Sequence, residues 1–150
     1  LKTVNAIVVK IMAESMPEVK VWATTDRIEA IKGCAFVLCQ IRVAGLAGRV
    51  LDEKIPLKYE VIGQETVGPG GFAMALRTLP VMYSLAEDIK KYAPEAWLIN
   101  YSNPSGMVAA MLARYTEINA ISICDVPIGI QHFIASFLKL PRNWPRLLMS

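Results

Sequence analysis

Residues 96–106 read AWLINYSNPSG, and this stretch decides the fold class. AWLINYS (96–102) is a short apolar run of the kind found in buried parallel strands. Asn103 and Pro104 stop it, and a proline suits the first turn of the helix expected to follow, to about Tyr115. Working outward, AFVLCQI (35–41) and AISIC (120–124) are further apolar runs of strand length. A helix is expected from about Phe72 to Tyr92, disturbed at Pro80. Another is expected from near Pro127 to near Leu140. Strands and helices alternating at this spacing predict a parallel, helix-covered α/β sheet.

Upstream, residues 2–15 read as an amphipathic helix with Val4, Ile7, Val8, Ile11 and Met12 on one side. Residues 18–24 (EVKVWAT) alternate like a strand. Thr25 or Asp26 can cap a short helix that runs to Lys32 and ends at Gly33. The segment 42–71 is long, polar and glycine-bearing, and such loops are usually functional or disordered. No repeat, low-complexity tract or linker composition divides the chain, so 1–150 reads as one domain.

The composition, 54% hydrophobic and 19% charged, fits an ordered soluble globule and excludes a disordered tail. The net charge of +3 comes without a Lys/Arg run, so nucleic-acid binding has no support. No apolar run reaches the roughly 18 to 20 residues needed to span a bilayer, and the opening stretch lacks a signal-peptide pattern. Three cysteines, Cys34, Cys39 and Cys124, make a disulfide framework unlikely on number alone and point to a reducing cytoplasm.

In parallel sheets ligands bind at the carboxyl ends of strands. Three polar clusters fall there: Gln40-Ile41-Arg42, Asn100 to Asn103, and Cys124-Asp125. A dinucleotide fold should also open with a strand and a Gly-rich turn, yet no G-x-G-x-x-G lies near the start. GPGG at 68–71 does not follow a strand and is not that motif. Either the chain is not a nucleotide fold or its first strand is absent.

Three blocks then carry a resemblance: QIRVAGLAGRVLDEKIPLKYEVIGQETVGPGG (40–71), AWLINYSNPSG (96–106) and ICDVP (123–127). Together they resemble the signature of family 4 glycosidases, the 6-phospho-β-glucosidases, 6-phospho-α-glucosidases and their relatives. NAD-dependent members of that family depart from two-carboxylate glycosidase chemistry. The resemblance implies a Rossmann-like NAD-binding domain followed by an α+β substrate domain. It places the first strand and Gly-rich turn before Leu1, and a metal-binding histidine, the catalytic tyrosine and a phosphate-binding arginine beyond Ser150. On that reading residues 1–150 are an internal segment, a partial NAD-binding domain, inactive alone and part of a homo-oligomer when full length.

The implied reaction is the hydrolysis of a phosphorylated disaccharide or glucoside. NAD+ takes hydride from C3, a tyrosine removes the C2 proton, and the C1 group is eliminated before water adds and the steps reverse. A divalent ion, commonly Mn2+, acts as Lewis acid. The resemblance assigns Cys124 to the metal, Asp125 to proton donation, Asn103 to sugar hydroxyls, and Arg49, with Arg42 as a second candidate, to the substrate near its phosphate. Glu65, in GQET, would raise the basicity of the tyrosine. It leaves the residues that hold NAD unassigned.

Each residue also has a plainer reading. Cys124 could be a buried small hydrophobe. Asp125 could cap the helix starting at Pro127, and Asn103 could cap ahead of Pro104. Arg49 could be a surface arginine paired with Asp52 or Glu53, and Glu65 an ordinary loop carboxylate. Gly68, Gly70 and Gly71 would permit close backbone approach. His132 sits one turn into a helix and reads as structural.

The chain departs from the family pattern in places. CDVP mixes the CDMP of α-type and the CNVP of β-type members, while IRVAGLAGRVLDEKIPLKY looks closer to the β-type. Ala44 replaces a usual glycine, and Glu60 stands where glycine is common. The β-glucosidase reading comes first and the α-glucosidase second. A lactate/malate-type dehydrogenase and a catalytically inert fragment are the alternatives from other classes.

Overall fold

In chain order, a computed structural model describing residues 1–140 forms α1 (Lys2–Ser15), α2 (Arg27–Ile31), β1 (Phe36–Cys39), α3 (Gly45–Leu57), α4 (Gly68–Tyr92), β2 (Trp97–Asn100), α5 (Ser105–Tyr115), β3 (Asn119–Ser122) and α6 (Val126–Phe137). The three strands form one parallel sheet in the order β1-β2-β3. Cys39 pairs with Asn100, and Asn100 with Ser122, so the three carboxyl ends finish level at one edge. The expected α/β architecture is present: β1 and β2 lie within the runs expected for them, and β3 is shifted one residue earlier and ends two residues sooner.

The strands' inward residues explain the core. Val37, Cys39, Leu98 and Ala120 pack with Ile31, Met82, Leu85, Ile89, Val108 and Leu112 from α2, α4 and α5. Burying each of the larger aliphatic side chains contributes about 1.5–3 kcal/mol. The other face of the sheet is bare among the described residues: Phe36 is 61% exposed, Leu38 78% and Trp97 47%. β3 therefore alternates between exposed and half-buried residues and is not buried throughout.

Three further expectations need correction. Residues 18–24 form no strand; an alternating pattern needs a ladder partner, and the sheet of described residues contains only β1, β2 and β3. The segment 42–71 is not all loop, because it contains α3. The buried stripe of α3 is Gly48, Asp52 and Pro56, spaced four apart, so no apolar periodicity announced it. α4 runs through Pro80 without a break, held by Met74, Ala75 and Thr78 before it and Met82, Leu85 and Ala86 after it. Packing on both sides outweighs the missing N–H of Pro80. α1 forms over the residues expected for it, and none of them is buried.

Asp26 caps α2, accepting from the N–H groups of Ile28 and Glu29, and Gly33 follows at φ +72°. Arg27 then ties α2 to α4 through Ser84 and Asp88. No helix among the described residues is long and apolar enough to cross a membrane.

Candidate functional site

A buried polar network shapes the carboxyl edge of the sheet. Asn100 and Ser102 are essentially inaccessible. The Asn100 amide nitrogen donates to Ser122 Oγ at 3.0 Å and to the Ser102 carbonyl at 3.1 Å, and its oxygen accepts from Ser102 N–H at 2.9 Å. Ser102 Oγ accepts from Ile41 N–H at 2.8 Å. Buried polar groups must be paired, and here the pairing fixes where the chain leaves each strand. The sequence marked 100–103 as a polar cluster; the roles of Asn100, Ser102 and Ser122 depend on the register between strands.

From that edge the chain presents the predicted residues. Arg42 lies three residues past β1, Asn103 three past β2, and Cys124 two past β3. All three thus stand beyond the same edge, as the apolar runs implied. The ladder continues one step past the strands, with Ile123 N–H donating to the Asn100 carbonyl at 2.9 Å. This brings Tyr101 beside Cys124 and Asp125.

Cys124 is exposed, so it is not a buried hydrophobe. Asp125 stands at the head of α6 but makes no side-chain cap bond. Its carboxylate instead acts on the Tyr101 phenol. A hydrogen bond to Asp125 raises the Tyr101 pKa first, followed by desolvation and the nearby charges of Asp125 and Cys124. The sequence reading passed over Tyr101. Asn103 is half-buried, and the residue at the N-cap of α5 is Pro104, joined to Asn103 by a cis peptide bond.

The turn after β1 holds a second cluster. Ala44 at φ 66° and Gly45 at φ 56° swing the chain from strand to α3, and Glu60 at φ 57° turns it after α3. Gly63, Gly70 and Gly71 then pack the loop onto its neighbours. A Cβ on Gly63 would run into the Glu53 carbonyl, and one on Gly70 into that of Gln64. This close approach carries Glu65 to Arg42, and the two form an ion pair. Arg49 pairs with Glu53 one turn along α3, the plainer arrangement weighed for it. That pairing raises the Arg49 pKa, and Glu65 adds a smaller electrostatic push.

The fit to the implied groups is partial. Among the described residues no three His, Cys, Asp or Glu side chains converge to hold a metal ion. Cys124 offers one accessible sulfur donor for such an ion, not a complete site. His132 is exposed along α6 and joins no such group. GPGG begins α4 after a loop, so it is not a strand-to-helix phosphate turn.

Comparison with known proteins bears on this edge as a whole. Residues 1–140 match the family model described as Family 4 glycosyl hydrolase. A 6-phospho-alpha-glucosidase of Lacticaseibacillus paracasei is 48% identical over 131 residues, 87% of this chain and 30% of the relative. A 6-phospho-beta-glucosidase of Escherichia coli is 44% identical over 122 residues, 81% of this chain and 27% of the relative. The crystal structure of a 6-phospho-alpha-glucosidase from gut microorganisms, in complex with NAD and Mn2+, superposes with a TM-score of 0.87 at 35% identity. That match covers 95% of this chain and 33% of the other. The chain thus spans about a third or less of the length of these proteins.

Proposed function

We propose that this chain, which belongs to family 4 of the glycosyl hydrolases, is part of an enzyme that hydrolyses 6-phospho-β-glucosides with the help of NAD and a divalent metal ion. The observation that supports this most is the gathering of Arg42, Asn103 and Cys124 beyond one edge of a parallel sheet, after the level residues Cys39, Asn100 and Ser122. Residues 1–150 contribute part of the NAD-binding, Rossmann-like domain, in a cytoplasmic homo-oligomer. When bound, NAD supplies redox chemistry at a sugar carbon and the ion supplies Lewis-acid polarisation of sugar oxygens.

This chain's own residues prepare that chemistry. Cys124, exposed at the edge, serves as one metal ligand, as a thiolate. Asn103 offers a donor and an acceptor to sugar hydroxyls from a position fixed by the Asn100–Ser102 network. Arg49 takes the substrate phosphate with its planar fork. Its exposed pair with Glu53 is of the weak, easily exchanged kind. Glu65 contributes negative charge that keeps a nearby phenol basic. Asp125 protonates the leaving oxygen, with its carboxylate beside Tyr101 instead of capping α6.

That last contact favours a second reading, a 6-phospho-α-glucosidase, since an aspartate after the cysteine resembles the α-type motif. Assay of the full-length protein on chromogenic 6-phospho-β- and 6-phospho-α-glucosides separates them. The first reading expects the β-anomer to be cleaved, chelation to stop cleavage and Mn2+ to restore it. Cleavage of the α-anomer alone would replace the first reading by the second. Cleavage of either that is indifferent to chelation would overturn the metal's part.

A further inference from the structure

Arg42 and Glu65 lie 23 residues apart, one just past a strand and the other on a loop beyond the next helix. The backbone around Arg42 is fixed on both sides. Ile41 N–H is bonded to Ser102 Oγ at 2.8 Å, and the Arg42 carbonyl accepts from Gly45 N–H at 3.1 Å. The loop bearing Glu65 has a different footing. Its glycines press it against the backbone of α3 and the head of α4, not against the sheet. The Arg42–Glu65 pair therefore bridges two separately anchored pieces. The two side chains are 30% and 20% exposed, so solvent and salt screen this pair less than the Arg49–Glu53 pair, at 43% and 39%.

We propose that Arg42 is a positioning residue: its guanidinium holds Glu65, and with it the GQET loop, at the carboxyl edge of the sheet, and it does not bind the substrate phosphate. This rests on reading that edge as the site of phospho-glucoside hydrolysis. A phosphate reaching Arg42 would have to share the guanidinium with a half-buried carboxylate that is already bonded to it and offsets its charge. The same anion reaching Arg49 would displace only an exposed neighbour on the same helix.

The test is a cycle on the full-length enzyme: Arg42→Met, Glu65→Gln and the double variant, with Arg42→Lys and Arg49→Met beside them. A positioning role predicts that Arg42→Met lowers kcat about tenfold with KM changed less than about twofold. The same change in the Glu65→Gln background should then lose less than about twofold, because the two residues act as one unit. Arg42→Lys should recover part of the loss. Chymotrypsin provides a readout independent of activity, since Tyr59, on the turn leading into the loop, is 75% exposed. Cleavage there should speed up several-fold in Arg42→Met and stay at the wild-type rate in Arg49→Met. A rise in KM of about tenfold, equal in both backgrounds and with unchanged cleavage at Tyr59, would overturn the proposal and make Arg42 a phosphate ligand. If the wild type cleaves no phospho-glucoside, the function reading fails by itself and the cleavage rates still decide the tether.

Discussion

The Arg77 guanidinium on α4 grips the Asp52 carboxylate on α3 with both terminal nitrogens, one of them at 2.9 Å. Asp52 is only 4% exposed, while Arg77 reaches solvent in part. The pair clamps the two helices that carry the Glu65 loop between them. Asp52→Ala empties a buried position and takes away both charge-assisted bonds to Arg77, so it should lose about 2 kcal/mol of stability in urea unfolding. Asp52→Asn, which keeps the shape and part of the bonding, should lose less. A loss below about 0.5 kcal/mol for Asp52→Ala, the range of ordinary surface substitutions, would show that the clamp does not stabilise the fold.

Ala44 and Glu60 both sit in left-handed backbone, at φ 66° and φ 57°. These are the two positions where the sequence departs from the glycines usual in the family it resembles. A left-handed L-residue carries about 1–2 kcal/mol of strain, and glycine returns about 0.5–1 kcal/mol of that as flexibility of the unfolded chain. Ala44→Gly and Glu60→Gly should therefore each stabilise slightly, by up to about 1 kcal/mol in the same measurement. Destabilisation by either glycine would mean that the side chain's contacts outweigh the strain.

The cysteines should separate by reactivity. Cys39 is buried and its thiol pKa is raised, by desolvation first, against a smaller opposing effect of Ser102. Cys124 is exposed, and Cys34 is half-buried with its thiol donating to the Ala30 carbonyl at 3.0 Å. Alkylation of the full-length native protein, read by peptide mass spectrometry, should modify Cys124 first and leave Cys39 for last. Mn2+ should slow modification at Cys124 alone. Equal protection of Cys34 by Mn2+ would point to a general conformational effect and remove support for Cys124 as a ligand.

Tyr101 should ionise late. The Asp125 carboxylate beside it raises its pKa in the folded protein, so the neutral phenol is favoured there. The stability this confers is fully present below the unfolded tyrosine value, about 10, and is lost as pH rises through the folded value. In a metal-free alkaline titration followed by phenolate absorbance, Tyr101→Phe should remove a late-titrating tyrosine. Asp125→Asn should shift the same tyrosine toward the ordinary value. No change on Asp125→Asn would separate the two side chains.

The strands were readable as short apolar runs such as AWLINYS, although only one face of the sheet is covered among the described residues, and their ends marked where Arg42, Asn103 and Cys124 emerge. α3 was hidden because it buries glycine, aspartate and proline, and the aspartate is tolerated only through Arg77, 25 residues away. The same distance effect hid the pairing of Arg42 with Glu65, which needs Gly63 and Gly70 to fold the loop back. Tyr101 faces Asp125 because of the strand register, which no local pattern encodes. The strand-like pattern of 18–24 reports side-chain alternation, and a ladder partner is what turns alternation into a strand.

One assay separates the proposed chemistry from its rivals. Full-length protein, stripped of nucleotide and supplied with Mn2+, should cleave a chromogenic 6-phospho-β-glucoside only after NAD+ is added, with no net NADH formed. The C2 proton of the sugar should exchange with solvent during turnover. Oxidation reversed within each cycle makes the nicotinamide catalytic, whereas a two-carboxylate glycosidase needs no nucleotide. Full activity without nucleotide would contradict the proposed mechanism, and NADH formed in step with product would identify a dehydrogenase instead.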